Sequence, residues 1–196
     1  MKMIRRVLPV VFLTALCAAD DQPAAPQLST MEYVLTPIDT VPTKDEIIKL
    51  FGPTAIDTLE ALIAGSGDFG VQLRAIGALP RFCTGSCSSG DPHTSIVNVL
   101  TSIDPTDRRG TTLLRLRAGI EALGSTRSGL TSDVNRLVPF LDDASRDIRV
   151  ATARALRDLC NTQAIVPLRV RYEKELVAQV RLAISAALRD LGQCSQ

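Results

Sequence analysis

Small and apolar residues recur at helical spacing along most of this chain. Four nine-residue segments, which begin at residues 71, 115, 148 and 180, align without a gap as VQLRAIGAL, RLRAGIEAL, IRVATARAL and VRLAISAAL. In the last segment, apolar residues stand at i, i+3, i+4, i+7 and i+8, namely Val180, Ala183, Ile184, Ala187 and Leu188. This spacing is typical of an amphipathic α-helix with one buried face. The pattern therefore predicts one kind of helix that is used four times.

A second apolar stretch lies just upstream of each nonamer, within residues 56–63, 96–100, 134–141 and 165–168. Each unit is thus predicted to be a helical hairpin. A single hairpin leaves much of its apolar stripe in water, so several hairpins must stack to enclose a core. Successive nonamers start 44, 33 and 32 residues apart. We assign the surplus in the first interval to two surface loops, at residues 83–93 and 101–112, which are rich in turn-forming residues.

Local signals agree with this interpretation. Thr43 and Glu46 have the spacing of a capping box before an apolar run, and Gly52 with Pro53 marks the end of that helix. Pro139 occupies the same place in its unit as Pro167 in the next, where a proline in a first turn or at a bend is tolerated.

The two last nonamers carry the residues of a known repeat: Ile148, Arg149, Ala151 and Leu156, and then Val180, Arg181, Ala183 and Leu188. With a proline in the preceding helix, this pattern resembles HEAT repeats, in particular the short HEAT-like units known from phycobilisome lyases. The first two units depart from it, because Gln72 and Leu116 stand where arginine is expected. The resemblance implies an all-α fold, a right-handed α-α superhelix of about four hairpins over residues 43–196. It also implies protein binding more often than catalysis.

The first 19 residues have the organisation of an export signal. Lys2, Arg5 and Arg6 precede an apolar region of ten residues, 7–16, which is too short to span a bilayer, and small residues follow at 17–19. Two outcomes remain open: cleavage after Ala19 for soluble export, or lipidation of Cys17 after cleavage as a lipoprotein. The expected location is the periplasm or the outer membrane. Residues 20–42, with four prolines, are predicted to form a tether.

Four cysteines follow the leader, and an even number in an oxidising compartment favours disulfides. We predict that Cys83 pairs with Cys87 in a tight loop, and that Cys160 pairs with Cys194, because each follows the end of its unit's second helix. The alternative for Cys83 and Cys87 is a redox or metal pair, for which the spacing is one residue too long.

The net charge and the short sequence motifs limit the classes of function that fit this chain. Without the leader the chain carries 19 basic and 21 acidic residues, a net charge of −2, which argues against nucleic-acid binding. His93, the single histidine, is interpreted as a surface-loop residue, and Asp68-Phe69-Gly70 as an interhelical turn. We predict no catalytic, cofactor-binding or metal-binding residue.

Arg149 and Arg181 allow two interpretations. They pair with acidic residues of adjacent units, for which Asp143, Asp147 and Glu175 are the candidates, or they bind successive carboxylates of a partner. We favour the first.

The leading functional expectation is a noncatalytic protein-binding or scaffold module of the bacterial cell envelope, with an unidentified protein partner and no cofactor. Contact with a membrane is expected only through a lipid anchor at Cys17. Two alternatives remain: an enzyme of the bilin-lyase type, which the resemblance also suggests, and a structural lipoprotein that holds a larger envelope complex together.

Overall fold

The structure of the protein is a computed structural model that describes residues 34–35, 42–65, 67–104 and 106–194. Within these residues the chain is helical and contains no strand, so the all-α prediction is confirmed. The α-helices are α1 Lys44–Phe51, α2 Ala55–Gly65, α3 Phe69–Ala78, α4 Asp91–Thr101, α5 Gly110–Ser125, α6 Thr131–Leu137, α7 Arg146–Asp158, α8 Ile165–Lys174 and α9 Ala178–Leu191. Short 3-10 segments adjoin four of them, at Gly52–Thr54, Leu79–Phe82, Val138–Asp142 and Thr162–Ala164.

Helices that follow one another in the chain pack as pairs. Helix α2 packs on α3, α4 on α5, and α8 on α9, while α7 packs on both α6 and the 3-10 segment that follows it. The four helices that contain the nonamers also contact one another in chain order, α3 with α5, α5 with α7, and α7 with α9. Their apolar stripes therefore face one another, and a single cluster of buried side chains runs from Leu35 to Leu191.

The contact between α5 and α7 depends on residues without large side chains. A Cβ atom added at Gly124 on α5 would lie 2.6 Å from the Cα of Ala155 on α7. Two helix backbones come this close only where glycine or alanine stands at the contact. Gly124, which follows the second nonamer, and Ala155 of the third thus set the spacing between these two helices.

The predicted boundaries of α1 are correct. The hydroxyl oxygen of Thr43 accepts a hydrogen bond from the backbone N–H of Glu46 at 3.3 Å, and the Glu46 carboxylate accepts one from the N–H of Thr43 at 2.7 Å. This reciprocal pair satisfies two N–H groups that the first turn leaves free. The helix ends at Gly52, whose φ of 58° lies in the region that favours glycine.

The two prolines differ in their surroundings despite their matching positions. Pro139 lies in the 3-10 segment that continues α6, whereas Pro167 is the third residue of α8. The first turn of a helix has no internal acceptor for its N–H groups, so Pro167 removes no helical hydrogen bond.

Two local predictions are wrong. Phe69 and Gly70 form the first turn of α3 rather than an interhelical turn, and Asp68 caps that helix by accepting from the Val71 N–H at 3.0 Å. His93 lies in the first turn of α4 and not in a loop, because the helix begins at Asp91, immediately before Pro92. A proline fits the first helical turn, and it starts the helix earlier than the loop-like composition indicates.

The segment before α1 contributes to the core. Val34 and Leu35, which we assigned to the tether, are helical, and Leu35 is fully buried. The Arg74 guanidinium donates a hydrogen bond from Nε to the Leu35 carbonyl. Residues 1–33, which include the predicted export signal and Cys17, lie outside the described residues. Across the described ranges, no helix has both the length and the apolar character needed to cross a membrane.

Candidate interaction surface

A buried ion pair joins α7 to the turn between α8 and α9. Arg149 on α7 donates from Nε and Nη2 to the two carboxylate oxygens of Glu175, at 2.8 and 3.1 Å, and Glu175 lies in the turn before α9. The remaining nitrogen, Nη1, donates to the carbonyl oxygens of Asp143 and Ala144 at 2.8 and 3.1 Å. Arg149 therefore pairs with an acidic residue of the adjacent unit, which is the interpretation we favoured from the sequence.

Glu175 is held as a carboxylate by several donors. It also accepts from Nη2 of Arg171 at 2.7 Å and from the backbone N–H of Val177 at 2.9 Å. Burial by itself raises the pKa of Glu175, but the hydrogen bonds from Arg149, Val177 and Arg171 outweigh it and lower the pKa from 4.5 to about 2. The pair stays ionised because each charge has partners in place of water.

A second arginine binds an acidic residue of the unit that follows it in the chain. Arg108, in the loop before α5, donates from Nη1 and Nη2 to both carboxylate oxygens of Asp143, at 2.9 and 2.8 Å. Asp143 stands five residues before Ile148, just as Glu175 stands five residues before Val180. Partial burial raises the pKa of Asp143, but the Arg108 hydrogen bond and the Ser145 N–H lower it below its usual value. The acidic residue at this place is thus bound by an arginine of the preceding unit in both cases.

The sequence pattern did not reveal Arg108. Within the second nonamer, Leu116 occupies the position of Arg149, and the arginine that replaces it in function comes from a loop seven residues before Arg115. Loop residues carry no helical periodicity, so only the position of Asp143 five residues before its nonamer pointed to this contact.

Arg181 has the place of Arg149 in the last unit but lacks its carboxylate. Its Nη1 donates to the carbonyl oxygens of Glu175 and Tyr172 at 3.1 and 2.9 Å, and its guanidinium lies 4.1 Å from the centre of the Tyr172 ring. The Glu175 carbonyl is six residues upstream, as the Asp143 carbonyl is for Arg149. In the part of the chain that the structure describes, no acidic side chain pairs with Arg181.

Apolar side chains are exposed on the same helix pair. Four of the large ones belong to residues 165–191, namely Val166, Val170, Leu176 and Leu182. Leu176 is 94% exposed and Leu182 is 71% exposed. We use the name terminal surface for Leu176, Arg181 and Leu182, which lie in or next to the first turn of α9. Arginine and exposed apolar side chains are both found in protein interfaces.

A buried cluster that the sequence did not predict surrounds Asp133. Its Oδ2 is 2.8 Å from Nε2 of His93 and also accepts a hydrogen bond from the Ser128 hydroxyl. Asp133 is fully buried on α6, so the cluster links α4 to α6 and to the turn before it. Serine and histidine both contact the carboxylate and not each other. The arrangement therefore differs from a nucleophile and base pair, in which the histidine contacts the serine directly.

A cleft between α2, α4 and α5 has both polar and apolar walls. It has a volume of about 330 Å³ and is lined by Glu60, Ser95 and Arg115, with apolar residues around them. Ser95 donates a hydrogen bond to Glu60, and Nη2 of Arg115 donates to the Ile63 carbonyl at 3.4 Å. The polar groups of this cleft thus mainly connect its own walls.

The four described cysteines lie as the sequence predicts. Cys83 and Cys87 have Cα atoms 5.1 Å apart, Cys160 and Cys194 have Cα atoms 5.5 Å apart, and both sulfur pairs are at disulfide distance. The second pair fixes the C-terminal end of α9 to the end of α7. Across residues 34–194, as far as they are described, no group of three or more His, Cys, Asp or Glu side chains is arranged to hold a metal ion.

Comparison with known proteins adds no family assignment. No protein-family model matches the chain, and no curated protein sequence matches it.

Proposed function

We propose that this protein is a noncatalytic protein-binding module of the bacterial cell envelope. In this proposal, the four nonamer helices and their partners form a right-handed HEAT-like solenoid of about four hairpins. The ordered contacts α3 to α5, α5 to α7 and α7 to α9 support the solenoid, because each nonamer helix covers the apolar stripe of its neighbour.

One observation carries the functional part of the proposal. The last helix pair leaves Val166, Val170, Leu176 and Leu182 exposed, and Leu182 is 71% exposed although Val150, at its place in the preceding unit, is 6% exposed. Exposed apolar side chains that are grouped on one part of a protein surface indicate an interaction site. A protein partner on the last helix pair would cover these side chains.

Site-specific photocrosslinking in the native host tests this proposal. A photoreactive amino acid at Leu176 or Leu182 is expected to give discrete adducts with one protein, because these side chains would lie inside the interface. The matched control places the same group at Ser125, an exposed residue at the end of α5. Adducts of equal yield at all three positions, or none at Leu176 and Leu182, would refute the proposal.

The envelope location is a separate part of the proposal. Two cysteine pairs at disulfide distance are compatible with an oxidising compartment. The mass of the mature N-terminus decides between the two modes of export. A diacylglyceryl-modified Cys17 identifies a lipoprotein, an unmodified residue 20 identifies soluble export, and retention of Met1 in a cytoplasmic fraction contradicts both.

A further inference from the structure

We propose that the terminal surface binds a partner segment in which a carboxylate side chain is followed by an amphipathic helix. The inference rests on the proposed function, and it adds the chemistry of the partner. Its basis is the contact that the chain makes with itself one unit earlier, where Arg149 holds Glu175 and α7 is covered by α9.

The internal contact defines what the surface recognises. Glu175 places its carboxylate on Nε and Nη2 of Arg149, and α9 begins three residues later at Ala178. The helix then packs on α7, where Val150, the residue after the arginine, is buried. The recognised unit is therefore an acidic residue, a short turn and a helix with an apolar face.

Arg181 is oriented for the same contact. Like Arg149, it uses Nη1 for the carbonyl oxygen six residues upstream, and the Tyr172 ring lies against its guanidinium. These contacts fix the side chain while Nε and Nη2, the two nitrogens that hold a carboxylate in the Arg149 pair, have no acceptor among the described residues. An arginine that is already fixed loses little conformational entropy when it binds a carboxylate in two places.

The apolar part of the terminal surface is also exposed. Leu182 follows Arg181 as Val150 follows Arg149, but it is 71% exposed where Val150 is 6% exposed. A second copy of the chain fits this surface poorly, since its first nonamer is preceded by Ser66 at the place of Asp143 and Glu175. A neutral serine offers no charge to Arg181. The charge complementarity therefore favours a different protein with an acidic residue at this place.

The test uses the chain from residue 20 onwards and a fluorescent peptide with the sequence of its own residues 173–191. This peptide contains the acidic residue, the turn and the helix that Arg149 and α7 recognise. Fluorescence anisotropy measures the Kd, and NMR shifts of the Leu182 methyl groups locate the bound peptide. We expect saturable binding with shifts at Leu182, and at least a five-fold weaker Kd when the peptide carries Glu175→Gln.

Protein variants complete the test. Arg181→Gln and Leu182→Ser should each weaken binding at least five-fold, whereas Arg189→Gln, a matched change of an exposed arginine on the same helix, should leave the Kd within two-fold. Leu182→Ser alters an exposed side chain, so it keeps the test valid if Arg181→Gln lowers the melting temperature.

Several outcomes would overturn the inference: equal Kd values for the wild type and the Arg181→Gln variant, no measurable binding, or dimerisation that Arg181→Gln abolishes. If photocrosslinks form at Leu176 and Leu182 while Arg181→Gln has no effect, the inference fails and the proposed function stands.

Discussion

Helices α7 and α9 carry nearly the same sequence pattern but have different surroundings. Ile148 and Val180 are both fully buried, whereas Val150 is covered and Leu182 is not, and Leu156 is fully buried where Leu188 is half-buried. The reason is position, because α7 lies between α5 and α9, while α9 contacts α7 and α8. Burial of a repeated residue is therefore determined by its neighbours as much as by its place in the pattern.

The difference extends to charged residues. Arg149 and Arg181 make the same contact with an upstream carbonyl, but among the described residues only Arg149 is paired with a carboxylate. Small residues differ as well: on α9 an exposed serine, Ser185, stands at the place of the buried Ala153.

The largest expected effect comes from the matched pair Leu156→Ala and Leu188→Ala. The first should lower the free energy of unfolding by about 4 kcal/mol, because it leaves a cavity between packed helices. The second should cost about half as much, since water already reaches part of Leu188. Urea unfolding followed by circular dichroism measures both values. Equal losses would contradict the view that stacking position determines the burial of these two leucines.

Most helices could be predicted from the sequence. The predictions were wrong for residues whose surroundings depend on contacts with distant parts of the chain. Periodic apolar residues located all four nonamer helices, and the capping box of Thr43 and Glu46 defined the start of α1. His93 was misjudged because its partner, Asp133, lies 40 residues further along the chain. Leu35 was placed in a tether for a similar reason, since its burial depends on helices that follow it.

The terminal surface was predictable only in part. The pattern identified Arg149 and Arg181 as equivalent residues, but it gave both the same expected role. Which of the two is held by a carboxylate depends on the elements that pack beside it. Exposure of Leu182 follows from the same fact, so no local pattern distinguishes it from Val150.

The two cysteine pairs are expected to contribute differently to the stability of the fold. The Cys160 and Cys194 pair encloses a 34-residue separation that includes α8 and α9, whereas Cys83 and Cys87 are four residues apart. In the chain-entropy account, removing the long crosslink costs about 3 to 4 kcal/mol and removing the short one about 2 kcal/mol or less.

Thermal unfolding of Cys160→Ser/Cys194→Ser and Cys83→Ser/Cys87→Ser, under non-reducing conditions, measures this difference. Peptide mapping of the wild type provides the control, because it must find Cys160 linked to Cys194 and Cys83 to Cys87. A link between Cys83 and Cys160, or a larger loss for the short pair, would contradict the prediction.

The pH dependence of stability should distinguish Arg149, which is paired with a carboxylate, from Arg181, which is not. The folded-state pKa of Glu175, about 2, lies below its ordinary value of 4.5. The stabilisation from this carboxylate is therefore fully present above about pH 4.5 and is lost as the pH falls towards 2. A shift of this size corresponds to about 3 kcal/mol. Glu175→Gln should lose that amount at pH 7 and should show a smaller decline of stability between pH 4.5 and 2 than the wild type.

Unfolding at a series of pH values measures these declines, with Glu173→Gln as the matched control, since Glu173 is exposed two residues away.

Variants of Arg149 and Arg181 test the same ion pair from the arginine side. Arg149→Met leaves Glu175 buried with one partner fewer and should be strongly destabilising at neutral pH, whereas Arg181→Met removes no ion pair and should leave the acid-dependent decline unchanged. Equal pH dependence in the two arginine variants would mean that the Arg149 and Glu175 pair is not what distinguishes α7 from α9.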